Sequence, residues 1–246
     1  MRLLVVNSNT TDSVTARIAT TARAAARPGT EVTAVSAPFG LPLIVSRADW
    51  LVAGPATLAA LAAAGGSFDA AVIACFGDPG VEAAKELFGV PVVGISEAAF
   101  HAAAMLGRRF GVVSFTAALR PMFEDCLDRN GLAARCSGFR MGPAFAGDPG
   151  RVAEERTELI LELCRAAVEE DGAEAVILGG GPLAGLAPVI APHVTVPLVD
   201  GTVAAVRMAE ALVGLAPPGQ ARPRRVRALS GFEPGLTALF GGGLGV

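Results

Sequence analysis

The chain has 246 residues, a net charge of −3 and a hydrophobic fraction of 52%. That length and apolar content can fill the core of one large or two modest domains and exclude a disordered chain. No long basic run offers an electrostatic footprint for nucleic acid, and no stretch is long and apolar enough to expect a membrane span.

In chain order, Leu3-Leu4-Val5-Val6 reads as a short strand that stops at Asn7-Ser8-Asn9-Thr10-Thr11-Asp12, with helical spacing from there to Ala26. This N-terminus turns polar too early for a signal sequence, and a cytoplasmic setting is expected. Phe68 to Cys75 is a second apolar run, and Cys75 opens the turn Phe76-Gly77-Asp78-Pro79-Gly80 ahead of a helix near Val81. After a Val-Pro step, Val92-Val93-Gly94 forms another short strand and an Ala-rich helix follows.

The same order then recurs. Phe110-Gly111-Val112-Val113 leads through Ser114-Phe115-Thr116 into helical spacing from Leu119 to Asn130, so that Asn7 aligns with Ser114 and Asn9 with Thr116 at one offset. Ala173 to Gly180 repeats the Phe68 to Cys75 run and ends in Gly179-Gly180-Gly181-Pro182, and Val196-Pro197-Leu198-Val199-Asp200 repeats the Val-Pro strand. Strands alternating with helices predict parallel sheets, with the loops at the strand C-termini gathered on one ligand-binding edge. The expected fold is therefore α/β, with two pseudo-symmetric Rossmann-like domains, parallel sheets flanked by helices, and an active site in the cleft between them. The expected domains are 1–97 with 206–246, and 98–205. The short cluster Arg222, Arg224, Arg225 and Arg227 follows Pro217-Pro218-Gly219 and reads as a solvated linker.

Chemistry is expected from Cys75. A thiol at a strand end lies on the ligand edge, where loop amides or the N-terminus of the following helix can lower its pKa. Cys126 and Cys164 fall in helical patterns and Cys136 near a strand, so these three are read as structural free thiols; nothing in the spacing suggests a disulfide or a metal site. His101 and His193 lie off the candidate loops. Backbone at Gly180, Gly181 and Pro182 is suited to holding an oxyanion, together with Phe76 and Gly77 of the Cys75 turn. Asn9, Thr10, Ser114 and Thr116 offer neutral hydrogen bonds to a carboxylate or carbonyl, with helix capping as their alternative use. Arg47 offers a fork for a substrate carboxylate, with pairing to Asp49 or exposure to solvent as its alternative. Phe39, Trp50, Phe76 and Phe115 near these loops would suit an apolar substituent.

The strings N-S-N-T-T after the first strand, A-C-F-G-D-P-G at 74–80, V-P-V-V-G-I-S-E-A-A at 90–99 and the second glycine turn resemble the aspartate/glutamate racemase superfamily, in particular its hydantoin-racemase branch. The resemblance implies a cofactor-independent, metal-free enzyme, expected to be a homo-oligomer, acting on a small molecule with a carboxylate or ring carbonyl. It also implies proton transfer at the carbon α to that carbonyl by a pair of cysteines, one from each half. Cys75 matches the first; the second falls on Gly180. Two readings follow: a racemase or isomerase using Cys75, or a one-cysteine decarboxylase, similar to arylmalonate decarboxylases, that protonates an enolate on one face. A non-catalytic small-ligand binding protein is the further alternative.

Overall fold

The structure is a computed structural model and describes residues 1–65, 67–215, 231 and 234–240. The Arg222 to Arg227 cluster lies outside the described residues. The first half runs β1 (Arg2–Asn7), α1 (Asp12–Ala25), β2 (Glu31–Ser36), α2 (Arg47–Ala63), β3 (Ala70–Ile73), α3 (Val81–Leu87), β4 (Val92–Gly94) and α4 (Ile95–Leu106). The second runs β5 (Phe110–Ser114), α5 (Arg120–Arg129), β6 (Cys136–Met141), α6 (Val152–Glu155), α7 (Thr157–Glu169), β7 (Ala175–Leu178), α8 (Ala187–Ile190), β8 (Leu198–Asp200) and α9 (Gly201–Leu215). A last helix, α10 (Pro234–Phe240), packs on α2.

The strands form two four-stranded sheets in the orders β2-β1-β3-β4 and β6-β5-β7-β8, and every pairing is parallel. The central strands show why. In β1, Leu3 and Val5 enter one core cluster while Leu4 and Val6 enter another, so alternate residues fill two apolar layers and neither face of the strand meets water. Strand β3 repeats this with Ala70 and Val72 on one side and Ala71 and Ile73 on the other. The expected α/β frame of two matched halves with parallel sheets is what the chain forms.

The halves also exchange helices. α4 follows β4 of the first sheet yet packs against β7 and β8 of the second, while α9 follows β8 yet packs against β3, β4 and α1. The two exchanged helices lie against each other. One continuous core cluster consequently runs from Leu3 and Ile18 through Phe100 and Phe110 to Ile177 and Val206. The ladder ends match as well: Ile73 pairs with Gly94 and Leu178 with Asp200, each pair one step from the loops that carry Cys75 and Gly180.

Candidate active site

The C-terminal strand ends of both sheets meet at one cavity. Asn9, Leu43, Ile44, Ala74, Cys75 and Phe76 line it from the first half, and Phe115, Leu119, Phe123, Gly180, Gly181 and Pro182 from the second. Its volume of about 20 Å³ is room for roughly one water. No Asp, Glu, Lys, Arg or His is among these lining residues.

Cys75 leaves β3 into a turn fixed by its own polar groups. The Asp78 N–H donates to the Cys75 carbonyl at 3.0 Å, and Asp78 sits at φ 51°, a left-handed conformation uncommon outside glycine. Its buried carboxylate then accepts the N–H of Ser96 at 2.9 Å and of Glu97 at 2.8 Å, which places it at the N-terminus of α4. A β-carbon on Gly94 would lie 2.2 Å from Asp78 Cγ, so only glycine at that ladder position leaves the carboxylate room.

The thiol itself departs from expectation. Burial, with the Asp78 charge adding to it, pushes the Cys75 pKa up to about 12, and the Ser8 hydroxyl opposes this only in part. The helix expected to lower it, α3, begins only at Val81, beyond Asp78. Asp78 is itself pushed up to about 7 by burial and by Glu97, against the two N–H donors of α4.

Ser8 was not singled out in the sequence. It is buried next to Asn9, and its hydroxyl is 2.8 Å from that of Thr57, which also lies 2.8 Å from the Ala53 carbonyl. The Leu43 and Ile44 walls were missed too. They arrive on the segment after β2, which is tied down by Thr10 N–H to the Leu41 carbonyl at 3.1 Å and by the Thr11 hydroxyl to the Pro42 carbonyl at 2.7 Å.

Of the neutral hydrogen-bonding residues, the structure brings Asn9 to the cavity and not the others. Asn9 Oδ1 accepts from Asn7 Nδ2 at 2.8 Å and from the Thr11 N–H at 2.9 Å, so its Nδ2 group is left to donate to a ligand. Thr10 is exposed and outside the lining. Ser114 is committed elsewhere: its hydroxyl donates to the Gly179 carbonyl at 2.5 Å and braces the glycine turn from behind. Thr116 is buried away from the lining, and Gly77 lies behind Phe76.

Arg47 does not face the cavity. Its Nε and Nη2 donate to Asp125 at 2.5 and 2.7 Å across the surface between α2 and α5. Asp49, its expected partner, instead closes the capping box of α2 with Ser46, accepting the Ser46 N–H at 3.0 Å. His101 and His193 are exposed, and Cys126 and Cys164 are buried in α5 and α7.

The second-half turn is bare backbone. Gly180 adopts φ 128° and ψ 133°, a region L side chains rarely enter, and faces Phe115. Neither the Gly180 nor the Gly181 N–H donates to another described residue, and both glycines line the cavity opposite Cys75. Gly181 is buried and Gly180 half-buried, and backbone amides left without a partner in such a setting can receive a ligand oxygen.

A family model described as Asp/Glu/hydantoin racemase matches residues 3–209 of the chain. The chain belongs to the Asp/Glu/hydantoin racemase family. A hydantoin racemase of Pseudomonas sp. (strain NS671) is 38% identical over 216 residues, 87% of each chain. Among solved structures, allantoin racemase from Pseudomonas fluorescens matches at TM-score 0.86 and 38% identity over 94% of this chain and all 100% of the other. Allantoin racemase from Klebsiella pneumoniae matches at 0.85 and 36% over 94% and 96%. The protein is thus a racemase of that family. Among the described residues no group of three or more His, Cys, Asp and Glu side chains is arranged to hold a metal, and no helix is long and apolar enough to cross a membrane.

Proposed function

We propose that this protein is a hydantoin-type racemase that moves a proton at the carbon α to a ring carbonyl of a small, uncharged cyclic substrate, with Cys75 as the group that takes and returns it. The observation that carries this reading is the pairing of the Cys75 thiol with unbonded Gly180 and Gly181 amides across a cavity lined by no charged side chain. A neutral ring with an apolar substituent suits Leu43, Ile44, Phe76, Phe115 and Phe123, whereas an ion buried there without a partner would be costly. The named relatives, which act on hydantoins and allantoin by their descriptions, support the same substrate class.

In this scheme the Cys75 thiolate removes the ring proton, and the C–H electron pair moves into the adjacent carbonyl to give an enolate. The enolate oxygen receives the Gly180 and Gly181 N–H groups, with Asn9 Nδ2 on a second ring oxygen. Returning the proton from Cys75 restores the starting enantiomer. Protonation by water from the side of Gly180, where no side chain stands, gives the other enantiomer and hydroxide, and the Cys75 thiol then gives its proton to that hydroxide, restoring the thiolate and water. Neither step calls on a cofactor.

One observation favours a second reading. With its pKa near 12, Cys75 rests as a thiol at neutral pH, ready to protonate an enolate on one face after decarboxylation. The uncharged lining weighs against it, since a malonate carries two charges into the same cavity. Incubation of 5-substituted hydantoins in heavy water separates the two. The expected result is deuterium at the α-carbon in both enantiomers with decay of optical rotation. No exchange with any hydantoin, combined with carbon dioxide release from an arylmalonate, overturns the proposal in favour of the second.

A further inference from the structure

The Cys75 turn is gripped from both halves of the molecule. From α2 the Trp50 indole N–H donates to the Gly77 carbonyl at 2.8 Å, and the Gly77 N–H donates to Ser96 Oγ at 2.5 Å. From α5 of the second half, Arg129 Nη2 donates to the same Gly77 carbonyl at 3.0 Å, while the guanidinium lies 5.1 Å over the Trp50 ring. A carbonyl has two lone pairs, and here one is filled from each half.

The rest of α5 continues along the turn. The Cys126 thiol is 3.8 Å from Asp78 Oδ2, and Phe123 packs on Phe76 with ring centroids 4.4 Å apart. One face of this helix, at Phe123, Cys126 and Arg129, therefore backs Phe76, Asp78 and Gly77. Such support is what a left-handed non-glycine residue requires, because Asp78 persists at φ 51° only where its surroundings over-determine it. Phe123 also lines the cavity, so the helix that holds the turn forms part of the substrate's wall.

A cavity of about 20 Å³ is too small for a substituted ring, so its walls must move to admit one, and they come from both halves. Parting at the α2 and α5 surface stretches the Arg129 bond to Gly77. We propose that Arg129 is a positioning residue: by clamping the Gly77 carbonyl from the opposite half it fixes the turn that carries Cys75, and it makes that geometry conditional on closure of the two halves. Arg47 and Asp125 span the same surface without touching the turn, which sets them apart from Arg129. For turnover this inference rests on the assignment of Cys75; for the geometry of the turn it does not.

The test uses Arg129→Met, Arg129→Lys and Trp50→Phe in the full chain. Iodoacetamide labelling of each cysteine is followed by peptide mass spectrometry against pH, alongside hydantoin racemisation. With the clamp removed, Arg129→Met is expected to expose Cys75, raising its labelling rate about 10-fold and lowering the pH at which labelling sets in. Cys164, buried in α7 away from the turn, keeps its protection and reports on global unfolding. In parallel kcat falls about 10-fold with KM within about 3-fold, as misplacement of a reacting group predicts. Arg129→Lys recovers part of both, since one donor remains. Parent-like labelling and kcat in Arg129→Met overturn the proposal. So does loss of protection at Cys75 and Cys164 together, which is general destabilisation. Should Arg129→Met fail to fold, the same contrast in Trp50→Phe and Arg129→Lys decides the matter. If the parent shows no turnover, the functional reading fails while the labelling contrast still judges the clamp.

Discussion

The turn after β3 and the turn after β7 occupy the same place in their two halves, and they are built to opposite ends. The first carries a thiol, a strained acidic residue and a dense set of bonds to three helices; the second presents amides and almost no side chain. The carboxylates show the exchange most clearly. In the first half Asp78 reaches from the loop to cap α4, filling the space above Gly94. In the second half the residue at the ladder position of Gly94 is Asp200, which caps α9 through the Thr202 and Val203 N–H groups and also holds the Gly185 N–H at 2.7 Å. One repeat thus gives its strand residue to the cap, and the other spends a loop residue on the cap and puts a carboxyl group beside its cysteine. The two halves share one frame, and in the proposed mechanism asymmetry in a few side chains separates the proton carrier from the oxyanion cradle.

The comparison is broken most directly by Cys75→Ala, for which racemisation is expected to fall about 10³-fold with the fold retained; polarimetry with circular dichroism checks both. A variant retaining more than a tenth of parental turnover would move the chemistry off this turn. Next comes Gly180→Cys, which attempts to restore symmetry. Its positive φ and a β-carbon 3.3 Å from Phe115 Cε1 predict a loss of stability of about 1–3 kcal/mol, read by chemical denaturation, and no gain in rate. A gain would show that the second face can accept a thiol after all.

Ser8→Ala sharpens the account of the first turn. Removing the hydroxyl that opposes the rise in Cys75 pKa should lower kcat about 10-fold at neutral pH, the scale of a hydrogen bond to a charged group. The pH profile carries a sign. The folded pKa is raised, so the thiolate fraction is suppressed at neutral pH and grows towards pH 12; exchange driven by Cys75 as base must rise with pH across that window. A rate that is flat or falling from pH 7 to 9 would favour the one-face protonation reading. The smallest effect is expected for Arg47→Ala, within about 2-fold in KM, because its surface pair with Asp125 is worth little and does not face the substrate.

What could be read from the sequence was what neighbours in the chain decide. Apolar runs ending in polar or glycine-rich turns located β1, β3, β5 and β7, and the repeated order located both turns of the site. Residues whose role depends on distant partners were not legible. Asp78 reads as a turn residue within C-F-G-D-P-G, yet its carboxylate serves a helix that starts at Ile95. Ser8 sits between two asparagines that drew attention first, and only the fold brings it to Cys75 and Thr57. Arg47 and Asp125 lie in different halves, and no local pattern joins them. The lowered thiol pKa expected from a strand-end position failed for the same reason: burial and a nearby carboxylate are properties of the packed molecule.

The exchange of α4 and α9 also bears on how the chain folds. Each sheet is roofed by a helix that the other half supplies, so a fragment ending near residue 97 would expose the apolar face that α9 covers. The halves are therefore expected to melt together in a single cooperative transition, with calorimetric and van't Hoff enthalpies in agreement, despite the internal repeat that invites reading them as separable pieces.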